Sequence, residues 1–191
     1  MNAKMTGTTI RIHRFLPFSY ANGPGARAVI WVQGCSLGCP GCFNPKTHPS
    51  GEELISVDDL FLRIIHLGDT IEGISVSGGE PFQQHYPVLT LLQRVRQETQ
   101  LSVLMFTGYT WEETQQMPNS KALLKNVDVL IAGRYDAAQH LMHDLRGSIN
   151  QTIHFLTSRY STADLQTIPS TEVIIAPDGE VMVSGVDPIR V

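Results

Sequence analysis

All three cysteines of the chain lie in one loop, Gly34-Cys35-Ser36-Leu37-Gly38-Cys39-Pro40-Gly41-Cys42-Phe43-Asn44. An odd number so closely spaced makes a poor disulfide framework. A reducing compartment with a bound metal or cluster explains it better. Thiolates are the usual protein ligands of iron–sulfur clusters. Spacings of three and two residues let Cys35, Cys39 and Cys42 reach three irons of one cubane. Gly38, Pro40 and Gly41 let the backbone wrap closely around it. With no fourth cysteine, the fourth iron is open to a non-protein ligand. Two blander readings stand beside this one. The cysteines could bind zinc with His48 as fourth ligand, or hold a structural or electron-transfer cluster. Either would make a non-catalytic binding protein. A reactive thiol cluster fits less well, because no activating base is obvious nearby. The second candidate is Ser77-Gly78-Gly79-Glu80-Pro81, which alone reads as a structural turn.

The elements that must position these groups follow from periodicity. Residues 1–8 read as a loose start and Thr9–Tyr20 as a short strand. Ala21-Asn22-Gly23-Pro24-Gly25 is a turn. Ala28–Val32 is an apolar, mostly β-branched run, hence a buried strand running straight into the cysteine loop. Ser56 caps a helix to about Leu67, with Val57, Leu60, Phe61 and Ile64 at helical spacing. Gly73–Ser77 is a strand ending at Gly78-Gly79-Glu80, and Pro87–Glu98 a helix with Val88, Leu91, Leu92 and Val95 on one face. Leu101–Phe106 is a strand ending at Thr107-Gly108-Tyr109. Short helices near Trp111–Gln116 and Ser120–Lys125 precede a strand over Val127–Ile131. Arg134–Ser170 resists assignment. Thr171–Ala176 and Glu180–Ser184 flank Asp178-Gly179 as a hairpin that would add an edge to the sheet. Alternating strands and helices predict an α/β fold with a mainly parallel sheet of right-handed βαβ units. About four units are too few for a closed eight-stranded barrel, so an open, partial βα barrel with a C-terminal β-hairpin is expected. Functional groups of such folds gather at the carboxyl ends of strands. The cysteine loop, Gly78–Glu80 and Gly108-Tyr109 all fall there.

The spacing Cys-x3-Cys-x2-Cys resembles the signature of the radical S-adenosylmethionine (SAM) superfamily. Cys-Pro-Gly-Cys followed by an aromatic, Phe43, and then Asn44 is similar to one activating-enzyme branch of it. Asn22-Gly23-Pro24-Gly25, Ile74–Pro81, Phe106–Tyr109, Val127–Tyr135 and Arg146-Gly147-Ser148-Ile149-Asn150-Gln151 extend that likeness over roughly Ile10–Thr157. The last stretch resembles an Arg-Gly-Ser-Ser-Asn-Gln run of the activating proteins of anaerobic ribonucleoside-triphosphate reductase. The resemblance implies one [4Fe–4S] cluster on Cys35, Cys39 and Cys42, with SAM chelating the open iron through its amino and carboxylate groups. Reductive cleavage would give methionine and a 5′-deoxyadenosyl radical, which installs a glycyl radical on a partner subunit. It further implies that Gly78, Gly79 and Glu80 bind the SAM ammonium, and that Phe43 and Tyr109 belong to the cofactor site, Tyr109 beside the adenine or covering the site; the plain alternative is that Tyr109 simply packs. A flavodoxin- or ferredoxin-type protein would supply the electron. Arg27, Arg134 and Arg146 would meet the SAM carboxylate or the partner, or else form surface salt bridges. The chain departs from the branch at Ile149, and at Ala132, where an Asp is expected and its loss would alter a SAM or ion contact. It also continues past Thr157. Such departures leave open a radical SAM enzyme acting on a different peptide or small molecule.

Composition narrows the remaining classes. A chain of 191 residues, 42% hydrophobic and 17% charged, suits one domain with a real core. We expect that domain over residues 1–191, with a core of about 10–157 and an extension of about 158–191. A net charge of −4 gives no reason to expect nucleic acid or an anionic membrane as partner. No apolar run approaches the ~20 residues of a membrane span. Met1 to Thr9 lacks an apolar signal core, which makes the cytoplasm the expected location.

Overall fold

The computed structural model describes residues 7–51, 54–176 and 178–186. The chain opens with β1 (Thr9–Ser19) and β2 (Arg27–Val32), then β3 (Leu54–Ser56) and α1 (Val57–Ile65). Next come β4 (Gly73–Gly78), α2 (His85–Glu98), β5 (Ser102–Thr107), α3 (Trp111–Gln116), α4 (Ser120–Leu124) and β6 (Val129–Ala132). The stretch that resisted assignment holds β7 (His140–His143), β8 (Arg146–Ser148), β9 (Thr152–Phe155) and α5 (Thr162–Gln166). β10 (Thr171–Ile175) and β11 (Val181–Gly185) form the expected hairpin. Its turn at Pro177 lies outside the described residues.

The fold is mixed α/β around one sheet of seven strands, in the order β3-β1-β2-β4-β5-β6-β9. Its centre, β2-β4-β5-β6, is parallel. β1 and β3 on one side and β9 on the other are antiparallel. The hairpin does not extend this sheet. β10 and β11 pair with one another as a separate two-stranded sheet, tied to the body through side chains. Ser56 caps α1 as its type predicts, its Oγ accepting from the Asp59 amide at 2.9 Å.

Alternation along the central strands gives the sheet two faces. Ile30, Val32, Ile74, Val76, Val103, Met105 and Leu130 face α1, α2 and α4, burying Leu60, Phe61, Ile64, Leu91 and Leu92 in the main core. Leu104, Val129 and Ile131 point the other way and meet Leu145 and Leu165 in a second, smaller core. That second cover comes from the β7–β8 tip and from α5.

Arg27 sits at the amino end of β2 with none of its surface exposed. Its guanidinium donates to Ser75 Oγ at 2.9 Å, Ser102 Oγ at 2.9 Å, Ile74 O at 2.6 Å and Pro24 O at 3.0 Å. It therefore fastens the 22–25 turn to β4 and β5, at the end of β2 away from the cysteine loop. Gly23 is required there, since a Cβ would lie 2.5 Å from the Arg27 side chain. Burial pushes the Arg27 pKa below its usual value. Neither sequence expectation for this residue, a SAM contact or a surface salt bridge, describes it.

Candidate active site at the cysteine loop

The cysteine loop leaves β2 and is held from two sides. Gly34 N donates to Thr47 O at 2.8 Å and Cys35 N to His48 O at 3.1 Å. Gln33 Nε2 donates to Lys46 O and Pro49 O, closing the far side of the loop. Within it, Cys42 N donates to Cys39 O at 3.2 Å and Asn44 N to Cys42 Sγ at 3.4 Å. Gly38 and Gly41 take φ of +62° and +70°, a region that favours glycine, and so turn the chain back on itself.

β4 delivers the second motif beside it, because Val32 and Gly78 are register partners. Gly79 N donates to Val32 O and Glu80 N to Gly34 O. A Cβ on Gly79 would sit 2.4 Å from Gly34 O, and one on Gly78 would sit 2.7 Å from Val32. The two glycines let this backbone lie directly against the cysteine strand. Glu80 is fully buried. Its carboxylate accepts from Phe82 N at 3.0 Å, Thr107 Oγ1 at 2.8 Å and Gly108 N at 2.8 Å. Burial pushes its pKa up from 4.5 to about 7, against the three hydrogen bonds donated to it. Glu80 thus ties the end of β4 to the end of β5 as well as bordering the site.

Cys35, Cys39 and Cys42 line one cavity of about 290 Å³ together with Gly78, Gly79, Glu80 and Phe43. Burial raises the thiol pKa of Cys35 and of Cys42, so free thiolates are disfavoured and a cationic metal centre would relieve them. Among the described residues no three His, Cys, Asp or Glu side chains converge tightly enough for a single metal ion. A cubane takes each thiolate on a different iron and so asks for less convergence. The three cysteines and their glycine-rich loop fit a [4Fe–4S] cluster on these grounds.

Phe43 packs on Tyr135 with ring centroids 4.2 Å apart and meets the His140 ring at 5.6 Å. Gly147 faces Phe43 so closely that a Cβ would lie 2.4 Å from the ring. Gln151 Oε1 accepts from Gly147 N at 2.8 Å and its Nε2 donates to Gly133 O at 2.9 Å. The Arg146–Gln151 stretch is therefore a brace for the aromatic residue that follows Cys42. Ile149 in this stretch is 60% exposed. Ala132 lies in the main core, so its replacement of an Asp changes no cavity wall.

Tyr109 is not among the cavity-lining residues. Its hydroxyl accepts from Gln83 Nε2 at 3.1 Å, and the Arg134 guanidinium lies over its ring. Arg134 pairs with Glu113 at 2.6 Å and Arg146 with Asp144 at 3.3 Å. Neither arginine lines the cavity. Sequence reasoning missed Tyr135, His13, Arg14 and Met182–Val186, which do. Tyr135 was within reach, at the end of a stretch already singled out. The others become neighbours of the cysteines only through tertiary packing.

Comparison with known proteins defines the class first. The sequence pattern of the 4Fe-4S single cluster domain family matches residues 21–154. The anaerobic ribonucleoside-triphosphate reductase-activating protein of Vibrio cholerae serotype O1 is 35% identical over 153 residues, covering 76% of this chain and 97% of the relative. Its counterpart from Escherichia coli (strain K12) is 34% identical, covering 75% and 97%. The crystal structure of QueE from Escherichia coli is a further neighbour at 22% identity, with a TM-score of 0.44 over 53% of this chain and 54% of that one. The chain is a radical SAM enzyme with one [4Fe–4S] cluster. It belongs to the family of anaerobic ribonucleoside-triphosphate reductase-activating proteins.

Proposed function

We propose that this chain binds its [4Fe–4S] cluster through Cys35, Cys39 and Cys42 and generates a glycyl radical on an anaerobic ribonucleoside-triphosphate reductase. The observation that carries the reading is that the three thiols border one cavity with Gly78, Gly79 and Glu80. Held on Cys35, Cys39 and Cys42, such a cluster would supply one-electron cleavage of S-adenosylmethionine to methionine and a 5′-deoxyadenosyl radical, for abstraction of a hydrogen atom from a glycine Cα.

The protein's own residues prepare that event. Gly78, Gly79 and Glu80 would bind the SAM ammonium, and Glu80 also holds the ends of β4 and β5 together at the cavity. Phe43, braced by Gly147, packs the loop after Cys42. We read residues 1–191 as one domain whose sheet curves as a partial barrel, with the site on its inner face. A flavodoxin- or ferredoxin-type protein supplies the electron, and the setting is the cytoplasm. No helix among the described residues is long and apolar enough to cross a membrane.

The test is anaerobic reconstitution with iron and sulfide, reduction, and assay of 5′-deoxyadenosine from SAM with and without the reductase. The expected outcome is cluster-dependent product and a glycyl EPR signal on the reductase. Ala at any one of Cys35, Cys39 or Cys42 should abolish both. SAM cleavage that survives in those variants would overturn the cluster assignment, and cleavage without a glycyl signal would overturn the target.

A further inference from the structure

β11 borders the site by its edge. Met182, Val183, Ser184, Gly185 and Val186 all line the cavity of the three cysteines, and no residue of β10 does. Side chains alternate along a strand, so a strand that lined a cavity with one face would contribute every second residue. Five in succession place main-chain groups at the cavity beside the Ser184 side chain, which bonds Asn22 in its wall. The hydrogen bonds identify which groups face β10. Val186 N donates to Ser170 O at 2.9 Å and Ala176 N to Glu180 O at 2.8 Å. Ladder bonds alternate in an antiparallel pair. Met182 and Ser184 therefore turn their N–H and C=O toward β10, while Val183 and Gly185, which both line the cavity, turn theirs away from β10. The register agrees, with Val183 opposite Val173 and Gly185 opposite Thr171.

This hairpin is tied to the body through side chains and belongs to this chain's extension. Glu172 accepts from Tyr20 N at 2.9 Å and from Ser19 Oγ. Ser184 Oγ accepts from Asn22 Nδ2 at 2.7 Å, and Arg14 pairs with Glu180 at 2.8 Å. The family match ends at residue 154, so the hairpin lies outside the shared region. An open strand edge is a template for pairing and is usually blunted by charge, proline or a cover. Val181-Met182-Val183-Ser184-Gly185 carries no charge and no proline.

We propose that the glycine-bearing segment of the radical target binds in extended form along this edge, as an added strand bonded to the main chain of Val183 and Gly185. The proposal rests on the function given above. The reacting atom is a backbone Cα, and strand addition grips a peptide by its main chain. A segment held this way needs no side chain at the reacting residue, which suits glycine, and its Cα lies beside the cysteine cavity.

The test uses the reconstituted full chain with SAM and a labelled peptide spanning the radical glycine of the reductase, read by fluorescence anisotropy without oxygen. Methylating successive peptide amides in turn should weaken binding at every second residue, by about tenfold at each sensitive position. Val183→Pro removes an outward N–H and should weaken the peptide about tenfold, whereas Val173→Pro, on the opposite edge, should leave it unchanged. The methylation series uses unaltered protein and is decisive even where a proline variant fails to fold. Uniform tolerance of methylation, or equal effects of the two prolines, overturns strand addition. If the reductase still acquires its glycyl signal in that case, the function stands and only this inference falls. If the unaltered chain neither binds the peptide nor yields the signal, the function itself falls, and the inference with it.

Discussion

At the scale of single residues, Glu80 links the site to stability. A carboxyl whose pKa rises from 4.5 to about 7 on folding keeps its proton in the folded state while the unfolded chain has released it. Its contribution to stability is full below pH 4.5 and is lost as pH rises through about 7. The span amounts to roughly 3 kcal/mol. Glu80→Gln keeps the volume and stays neutral. The stability of the cluster-free wild type should therefore fall relative to Glu80→Gln by roughly 3 kcal/mol between pH 4.5 and 8. Urea titrations across that range measure it, and a constant gap would show that Glu80 has an ordinary pKa. The cysteines, the Gly-Gly-Glu run and Phe43, which line one cavity, could be singled out in sequence because each run is local. The brace on Phe43 was not, since Gly147 lies more than a hundred positions away and only its conformational freedom hints at a close approach.

At the scale of elements, the parallel strands and α1, α2, α3 and α4 follow from periodicity and capping. Two features did not follow. Arg27 has the composition of a surface or ligand-binding residue, yet the amino ends of β2, β4 and β5 close over it. Burial is a property of the assembled sheet, which no local window contains. Arg27→Lys tests the role. Lysine brings one nitrogen where the guanidinium bonds through three, and strands Ser75, Ser102 or the Pro24 and Ile74 carbonyls without a donor. The expected loss is about 3 kcal/mol, seen as a lower urea midpoint with an unchanged slope. A shift below about 0.5 kcal/mol would mean the turn and strands hold together without it. The second feature is the hairpin. Its Asp-Gly turn announced it, but the expected place on the sheet edge was wrong, because side chains rather than ladder bonds dock it.

At the scale of the molecule, the sheet is covered unequally. The main core behind α1 and α2 is continuous, whereas the opposite face carries the small core at Leu145 and Leu165 and then the cavity. The hairpin completes that second face through few polar ties. Glu172→Ala removes the acceptor of Tyr20 N and Ser19 Oγ. Amide exchange in β10 and β11 should accelerate about tenfold, corresponding to roughly 1–2 kcal/mol of local opening, while β4 and β5 stay protected. Uniform acceleration across the chain would show instead that the hairpin is part of one cooperative unit.

The ties that dock the hairpin also have a temporal consequence. Ser19 to Glu172, Asn22 to Ser184 and Arg14 to Glu180 join positions 153, 162 and 166 residues apart. Closing loops of that length costs entropy before any contact is gained, and domains assemble as the chain leaves the ribosome amino end first. β1 through β6 can pair while residues 172–184 are still being translated. The cysteine loop can thus form before residues 182–186, the last of its cavity's wall to be made, are in place.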